Sequence, residues 1–152
     1  MSSIPTNVKT ALEIDDLAAA LNATVQHFSA ETGTLHLIKD DGNLHLAAAS
    51  ETMPATVLDT IRVIPVGKGM AGLAAERREP VTACNIQTDE SGDVRPGAKE
   101  TGMEGAIVVP VMKGSKATGA LGIANREERT FSDDEVSQLL EIGKAIASHH
   151  KS

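Results

Sequence analysis

The sequence predicts a single α+β domain in which helices flank an antiparallel sheet. Its 152 residues fit one domain of the commonest size. Strand-like segments follow one another as two hairpins, the first around an Asp-Gly turn at 41–42 and the second around a Lys-Gly-Ser-Lys turn at 113–116. The connections between these strands are too short for parallel crossovers, so antiparallel pairing is favoured over a doubly wound sheet.

The first predicted helix spans residues 10–28. Thr10 and Glu13 predict a capping box at its start, and Gly33 predicts its C-terminal cap. Residues 1–9 are expected to form a flexible N-terminus. Apolar residues recur at helical spacing, which predicts one buried stripe of Ile14, Leu17, Leu21, Val25 and Phe28.

The first hairpin is predicted to pair residues 33–38 with residues 43–49. A two-residue Asp-Gly turn at 41–42 places His36 and His45 on one face of the sheet. Two imidazoles without an identifiable third ligand are a weak basis for a metal site, so no metal is predicted.

The middle of the chain combines short elements with a glycine-rich turn. A short helix over 54–60 and a short strand over 61–64 precede Gly-Lys-Gly-Met-Ala-Gly at 67–72, which opens a helix to about residue 79. The G-x-G-x-x-G spacing matches the dinucleotide fingerprint. Because that fingerprint works within a parallel βαβ unit, a tight turn is favoured here. An alternative is that helix amides around Met70 bind an anionic group.

The second half of the chain is predicted to hold three strands, a polar loop and a helix. The strands are predicted over 80–86, 106–112 and 117–124, and the polar loop over 87–102. A loop of this length in a compact domain is usually functional or mobile.

The last helix has the clearest start signal. Ser132 with Glu135 forms a capping-box pattern, and Phe131 with Val136 forms the matching hydrophobic staple. The apolar stripe of this helix is predicted to consist of Val136, Leu139, Leu140, Gly143, Ile146 and Ala147.

Composition disfavours several classes of partner. The net charge of -7 opposes direct binding to nucleic acid or to an anionic membrane. Aromatic residues make up 1% of the chain, so base stacking has few candidates. The single cysteine, Cys84, rules out an internal disulfide and a multi-cysteine zinc site. With no apolar run of membrane-spanning length and no leader-like N-terminus, a cytoplasmic protein is expected.

Four stretches, in order along the chain, resemble the GAF domain family. They are the hairpin at 34–49, the glycine turn at 66–73 followed by 79–81, the strands at 106–111 and 117–125, and the start of the last helix at 131–135. The resemblance implies an antiparallel sheet of five or six strands in one GAF/PAS-like domain spanning residues 1–152. Terminal helices would pack on one face, and a ligand pocket would lie under loops and short helices on the other. The resemblance also implies a small-molecule sensor that forms a homodimer through its terminal helices.

The resemblance places the polar loop over the ligand pocket. Polar contacts to a ligand are therefore expected from Asp89, Arg95 and Glu104, since a pocket needs few polar groups to fix a ligand's orientation. Cys84, in the strand before the loop, and Met70, at the start of the glycine-turn helix, complete the predicted ligand-binding set. No catalytic residue and no cofactor are predicted, only an unidentified small-molecule ligand.

The sequence and the resemblance leave three candidate functions. The first is a small-molecule-sensing domain in signal transduction, working through a signalling partner or a separate output domain. The second is an enzyme resembling the free methionine-(R)-sulfoxide reductases, which use several cysteines; the single Cys84 opposes it. The third is a ligand-free dimerisation module, whose terminal helices would bury a seam of Leu17, Leu21, Leu139, Leu140 and Ile146 against a second copy.

Cyclic nucleotide binding is a known role of related domains that carry an Asn-Lys…Phe-x-x-x-Asp-Glu signature. The dipeptide at 125–126 and Phe131 match it, but Glu135-Val136 replaces the final Asp-Glu. This departure and the scarcity of aromatic residues disfavour a cyclic nucleotide ligand.

Overall fold

The computed structural model describes residues 4–53, 55–83 and 103–149, which form six strands and five helices. The strands are β1 (Thr32–Ile38), β2 (Leu44–Ala49), β3 (Val63–Ile64), β4 (Val81–Ala83), β5 (Gly105–Lys113) and β6 (Lys116–Asn125). The helices are α1 (Thr6–Glu13), α2 (Leu17–His27), α3 (Ala55–Ile61), α4 (Gly69–Arg77) and α5 (Asp133–His149). Within these three ranges, no helix has both the length and the apolarity needed to cross a membrane.

One antiparallel sheet organises the fold, with the strand order β3-β2-β1-β6-β5-β4. Helices α1, α2 and α5 cover one face of this sheet. There, large aliphatic side chains form a single core in which Leu21, Leu35, Ile107, Leu121 and Ile142 are almost fully buried. Helices α3 and α4 lie on the other face. The predicted fold class is confirmed.

The terminal helix predicted over 10–28 is two helices, α1 and α2. Asp15 takes a positive φ of 54°, which ends α1. The Asp16 carboxylate then accepts a hydrogen bond from the Ala19 backbone N–H at 3.0 Å and caps α2. Ile14, predicted within the buried stripe, is 70% exposed at this corner. The apolar spacing runs across the break, so periodicity alone does not reveal it.

The caps predicted for that helix are wrong. Thr10 lies inside α1, where its hydroxyl donates to the Thr6 carbonyl oxygen at 3.0 Å. Gly33 lies in β1, and a Cβ there would come within 2.6 Å of the Val25 Cγ2 atom, so close packing explains this glycine. Helix α1 begins within the segment expected to be flexible, and Val8 in it is fully buried.

The first hairpin forms as predicted but with a different register near its turn. A bulge between Leu35 and His36 shifts the pairing, so that Leu37 faces His45 while Leu35 faces Ala48. Residues that face each other in an antiparallel pair share one face of the sheet. His36 and His45 therefore lie on opposite faces, contrary to the prediction.

The glycine-rich segment forms the predicted tight turn. Gly67 and Gly69 adopt φ values of 95° and 66°, a region that favours glycine. A Cβ on Gly72 would lie 2.5 Å from the Pro65 carbonyl oxygen, so the turn and α4 approach closely. Since α4 packs on an antiparallel sheet, the turn lacks the parallel unit that dinucleotide binding uses.

The capping box of α5 is confirmed. The Ser132 hydroxyl oxygen accepts from the Glu135 N–H at 3.1 Å, and the Glu135 carboxylate accepts from the Ser132 N–H at 3.0 Å. The terminal-helix residues predicted as a seam for a second copy contact the core on the sheet. Leu21, Leu139 and Ile146 are buried in it, and Leu17 and Leu140 are partly buried against it.

Candidate functional site

The sheet face under α3 and α4 is covered by two separate clusters rather than one core. The first, along the β4–β5 edge, consists of Met70, Ala74, Val81, Ala83, Met103 and Ala106. The second, towards β3, consists of Leu44, Ile64, Ala75 and Ala120. Half-buried residues lie at the centre of this face, where Val108 packs against both clusters and Ala124 packs against the first. We call this part of the face the central hollow, and its floor consists of Thr34, Ala49, Val108, Gly122 and Ala124.

The floor of the central hollow is a row of neighbours across four strands. Ala49 of β2 faces Thr34 of β1, Thr34 faces Gly122 of β6, and Gly122 faces Val108 of β5. Except for Gly122, the floor residues are half-buried, whereas the large aliphatic strand residues Leu35, Ile107 and Leu121 on the opposite face are almost fully buried. A Cβ on Gly122 would lie 3.1 Å from Val108 Cγ2, so the Val108 side chain packs closely over this glycine. The other floor residues keep part of their surface exposed.

Two polar side chains of β1 belong to this face. Thr34 contributes a hydroxyl to the floor, and His36 lies two residues further along the strand. The His36 ring is 2% exposed, and its Nε2 donates to the carbonyl oxygen of Ile61, the last residue of α3, at 2.8 Å. Its Nδ1 is buried without a hydrogen-bond partner. Burial lowers the pKa of His36, and the nearby His45 lowers it further, against the opposing effect of the bond to Ile61.

The structure describes two of the five predicted ligand-binding residues. Met70 is 8% exposed near the start of α4, where it packs within the β4–β5 edge cluster beside the hollow. Glu104 is half-buried just before β5, and its backbone N–H donates to the Asn125 carbonyl oxygen at 2.7 Å. The predictions for Cys84, Asp89 and Arg95 lie outside the described residues.

The floor residues were missed from sequence. Thr34, Gly122 and Ala124 stand at alternate positions of their strands, and small side chains at such positions are a signal of an open sheet face. That signal becomes specific only when the register of β1 on β6 is known, because the two segments lie far apart in sequence.

A second concavity lies at the tips of the two hairpins and is open to solvent. It has a volume of about 890 Å³ and is bordered by Leu37, Ile146 and a mixed-charge rim. The rim consists of Lys39, Asp40, Asp41, His45, Lys113 and Lys116. His45 Nε2 lies 2.9 Å from the nearer Asp41 carboxylate oxygen, and lysine and aspartate side chains stand together on the rim. Because this rim carries side chains of both charges, it does not favour a ligand of either charge.

A polar node joins the end of β6 to α2 and α5. The Arg129 guanidinium donates to the Phe28 carbonyl oxygen at 2.8 Å, to Asn125 Oδ1 at 2.7 Å and to Glu135 Oε2 at 2.6 Å. It also lies 4.5 Å from the centre of the Phe131 ring. The pKa of Glu135 is lowered, first by the hydrogen bond from the Ser132 backbone N–H and also by Arg129. Arg129 is therefore the cation that pairs with the Glu135 carboxylate in this node.

Among residues 4–53, 55–83 and 103–149, no group of three or more metal-ligating side chains comes together. The central hollow is one candidate ligand site in these ranges, and its floor is small, mostly apolar and without charge.

A six-stranded antiparallel sheet with terminal helices on one face and short helices on the other defines an α+β domain with the architecture of GAF domains. Residues 11–149 match the family model of the GAF domain. The chain therefore belongs to the GAF domain family, a family of sensory and signalling domains. No curated protein matches the chain.

Solved structures with this fold include both sensor domains and enzymes. The GAF domain of the Acinetobacter phosphoenolpyruvate-protein phosphotransferase is 19% identical with a TM-score of 0.76, covering 93% of this chain and 89% of that one. A free methionine-R-sulfoxide reductase from Neisseria meningitidis, solved with its substrate, is 17% identical with a TM-score of 0.75, covering 93% and 83%. A domain assigned to a two-component sensor histidine kinase from Sinorhizobium meliloti 1021 is 16% identical with a TM-score of 0.70, covering 89% of both. At these identities the likeness establishes the fold.

Proposed function

We propose that this GAF domain is a small-molecule sensor in signal transduction that binds its ligand in the central hollow. The observation that carries the proposal is the incomplete cover of one sheet face. Thr34 and Val108 inside their strands, and Ala124 near the end of β6, stay half-buried, while the opposite face carries the large core under α1, α2 and α5. Leaving apolar surface uncovered costs stability, which a ligand seated there would restore.

The sensor acts in this proposal as a homodimer, through a signalling partner or a separate output domain. Of the predicted seam residues, Leu21, Leu139 and Ile146 are buried against the sheet, and Leu17 and Leu140 are partly buried there. Support comes instead from Ile14, a large apolar side chain that is 70% exposed at the corner between α1 and α2. We therefore place the dimer contact at this corner of the terminal helices.

Native mass spectrometry of gently purified protein tests ligand binding. The expected result is a small mass increment that is lost on denaturation. Ala124→Leu should abolish the increment, because a larger side chain on the floor occupies the hollow. Ala47→Leu is the matched control, since Ala47 is exposed on β2 outside the floor, and it should retain the increment. Protein without any increment, or an increment kept by Ala124→Leu, would contradict the proposal.

A reductase function is the second candidate, because structures with this fold include methionine-R-sulfoxide reductases from Neisseria meningitidis and Staphylococcus aureus. The chain has one cysteine, Cys84, so attack and resolution cannot both use cysteines of the same chain. An assay of free methionine sulfoxide reduction, with Cys84→Ser as control, separates the candidates. Turnover that disappears in the Ser variant would replace the sensor proposal with an enzymatic one.

A further inference from the structure

The protonation state of His36 follows from the hydrogen bond that the ring makes with the end of α3. A carbonyl oxygen only accepts, so the Nε2 atom that lies 2.8 Å from the Ile61 oxygen carries the ring proton. Nδ1 has no partner within the described part of the chain, and the residue is 2% exposed. A second proton on this ring would be a buried charge whose new N–H lacks an acceptor, so the folded chain holds the ring neutral.

The described neighbours of His36 supply no counter-charge for a protonated ring. His36 faces Leu46 of β2 and Ala120 of β6 across the sheet. Burial lowers the pKa of His36, and His45 of β2 lowers it further, against the opposing effect of the bond to Ile61. The other charged side chains of the strands and helices packed here are exposed: Asp59 of α3, which pairs with Arg62, Glu76 and Arg77 of α4, and Lys116 of β6.

The chain segment that contacts the His36 ring lies at the edge of the sheet. It comprises α3 and β3, residues 55–64, and we call it the edge segment. Val57 is the buried residue of α3, and β3 pairs with β2 through two residue pairs. The Leu46 backbone N–H donates to the Arg62 carbonyl oxygen at 2.8 Å, which ties the segment to β2. Short elements with little buried apolar surface open locally at a lower free energy than the whole domain unfolds.

We infer that His36 makes closure of the edge segment pH-dependent, because a proton taken up by the ring favours an open form in which the segment has left the ring and water hydrates it. In the open form the exposed ring takes up a proton near its ordinary pKa of about 6.5. The closed form excludes this proton, so closure is fully favoured above about pH 6.5 and is weakened as the pH falls below it. Acid would thus loosen the cover of the sheet face that carries the central hollow. The inference does not depend on ligand binding.

Hydrogen exchange of the isotope-labelled full chain, followed by NMR at about pH 7.5 and about pH 5.5, tests this inference. The Leu46 amide reports opening of the edge segment, since its hydrogen bond to Arg62 breaks when the segment leaves. The amides of Leu35 and Ile142, which we call the core amides, report unfolding of the core on the other face. After correction for the intrinsic pH dependence of exchange, the protection of Leu46 should be about tenfold lower at the acidic pH.

Urea at low concentration separates local opening from unfolding of the whole domain. A local opening exposes little surface, so small additions of urea should leave the exchange of Leu46 almost unchanged while they accelerate the core amides. Leu46 should also be less protected than the core amides at both pH values. If Leu46 instead matches the core amides in level and in urea dependence, His36 acts through global unfolding alone and the inference is wrong.

The side-chain ¹⁵N signals of His36 report the state of the ring directly. They should remain those of a neutral ring with its proton on Nε2 at both pH values. A ring that becomes charged over this range in the folded chain would overturn the inference, and so would an unchanged protection of Leu46. These measurements need no variant.

Two variants assign the acid response to one histidine. In His36→Gln, the side-chain N–H replaces Nε2–H towards the Ile61 carbonyl but the side chain takes up no proton, so the tenfold change at Leu46 should disappear. His45→Gln is the matched control, because it removes the neighbouring imidazole and should keep that change. An acid response that persists in His36→Gln, or one that is lost in His45→Gln alone, would contradict the role of His36.

Discussion

Replacing Arg129 with Met should destabilise the domain by about 3–4 kcal/mol. The Met side chain keeps the apolar stem but removes the hydrogen bonds to the Phe28 carbonyl and to Asn125 Oδ1, at about 1.5 kcal/mol each for a charged donor. The partly exposed pair with Glu135 and the contact with the Phe131 ring add about 0.5 kcal/mol each. For a domain of this size, the loss corresponds to a fall in Tm of roughly 10 °C.

Urea unfolding followed by circular dichroism measures this change. The matched control is Arg126→Met, which changes the same residue type three positions earlier at an exposed site. It should alter the unfolding free energy by less than about 0.5 kcal/mol. A double-mutant cycle of Arg129→Met with Glu135→Gln should show a coupling of about 0.5–1 kcal/mol. If the two arginine variants lose equal stability, or Arg129→Met loses less than about 1 kcal/mol, the node does not hold the helices as argued.

Three further outcomes are expected. Because burial holds the pKa of His36 below 6.5, the unfolded chain takes up a proton that the folded chain excludes as the pH falls. Stability is thus fully present above about pH 6.5 and lost below it, by at most about 1.4 kcal/mol per pH unit for this group, and His36→Gln should remove that slope in urea titrations. Ser132→Ala should lower the unfolding free energy by about 1 kcal/mol through loss of the α5 cap, whereas Ser137→Ala at an exposed position in the second turn of α5 should not; equal losses would refute the capping argument. Ile14→Glu should convert a dimer to a monomer in native mass spectrometry without changing the unfolding midpoint, and a dimer that persists would move the interface elsewhere.

Elements whose signals are local could be predicted from the sequence. The capping box at Ser132 and Glu135 uses residues three positions apart, and the structure shows both of its hydrogen bonds. The glycine-rich turn was predictable for the same reason. The break before α2 also carries a local signal in Asp15-Asp16, which the prediction did not use because it followed the apolar period across the break.

Features that depend on pairing between distant segments could not be predicted. The bulge beside His36 inserts one residue into the pairing of β1 with β2, and a shift of one residue reverses the face of every side chain beyond it. The hollow depends on register even more strongly, because Thr34 and Gly122 become neighbours only when β6 pairs with β1. The floor of the hollow consists of small residues. Their size indicates free space on this face, but their side chains carry no chemistry by which a sequence could reveal a site.

The hollow and the Arg129 node share one strand, which bears on how a ligand could affect the helices. Strand β6 contributes Gly122 and Ala124 to the floor and ends at Asn125, whose side chain donates to the Ser29 carbonyl at 2.9 Å and accepts from Arg129. A ligand in contact with Ala124 would therefore sit one residue from the contacts that fix the end of α2 and the start of α5. A ligand shifts a conformational equilibrium only by its difference in affinity for the two states, and a tenfold shift requires about 1.4 kcal/mol. Since the node contributes about 3–4 kcal/mol by the estimate above, weakening less than half of it would be enough for such a response.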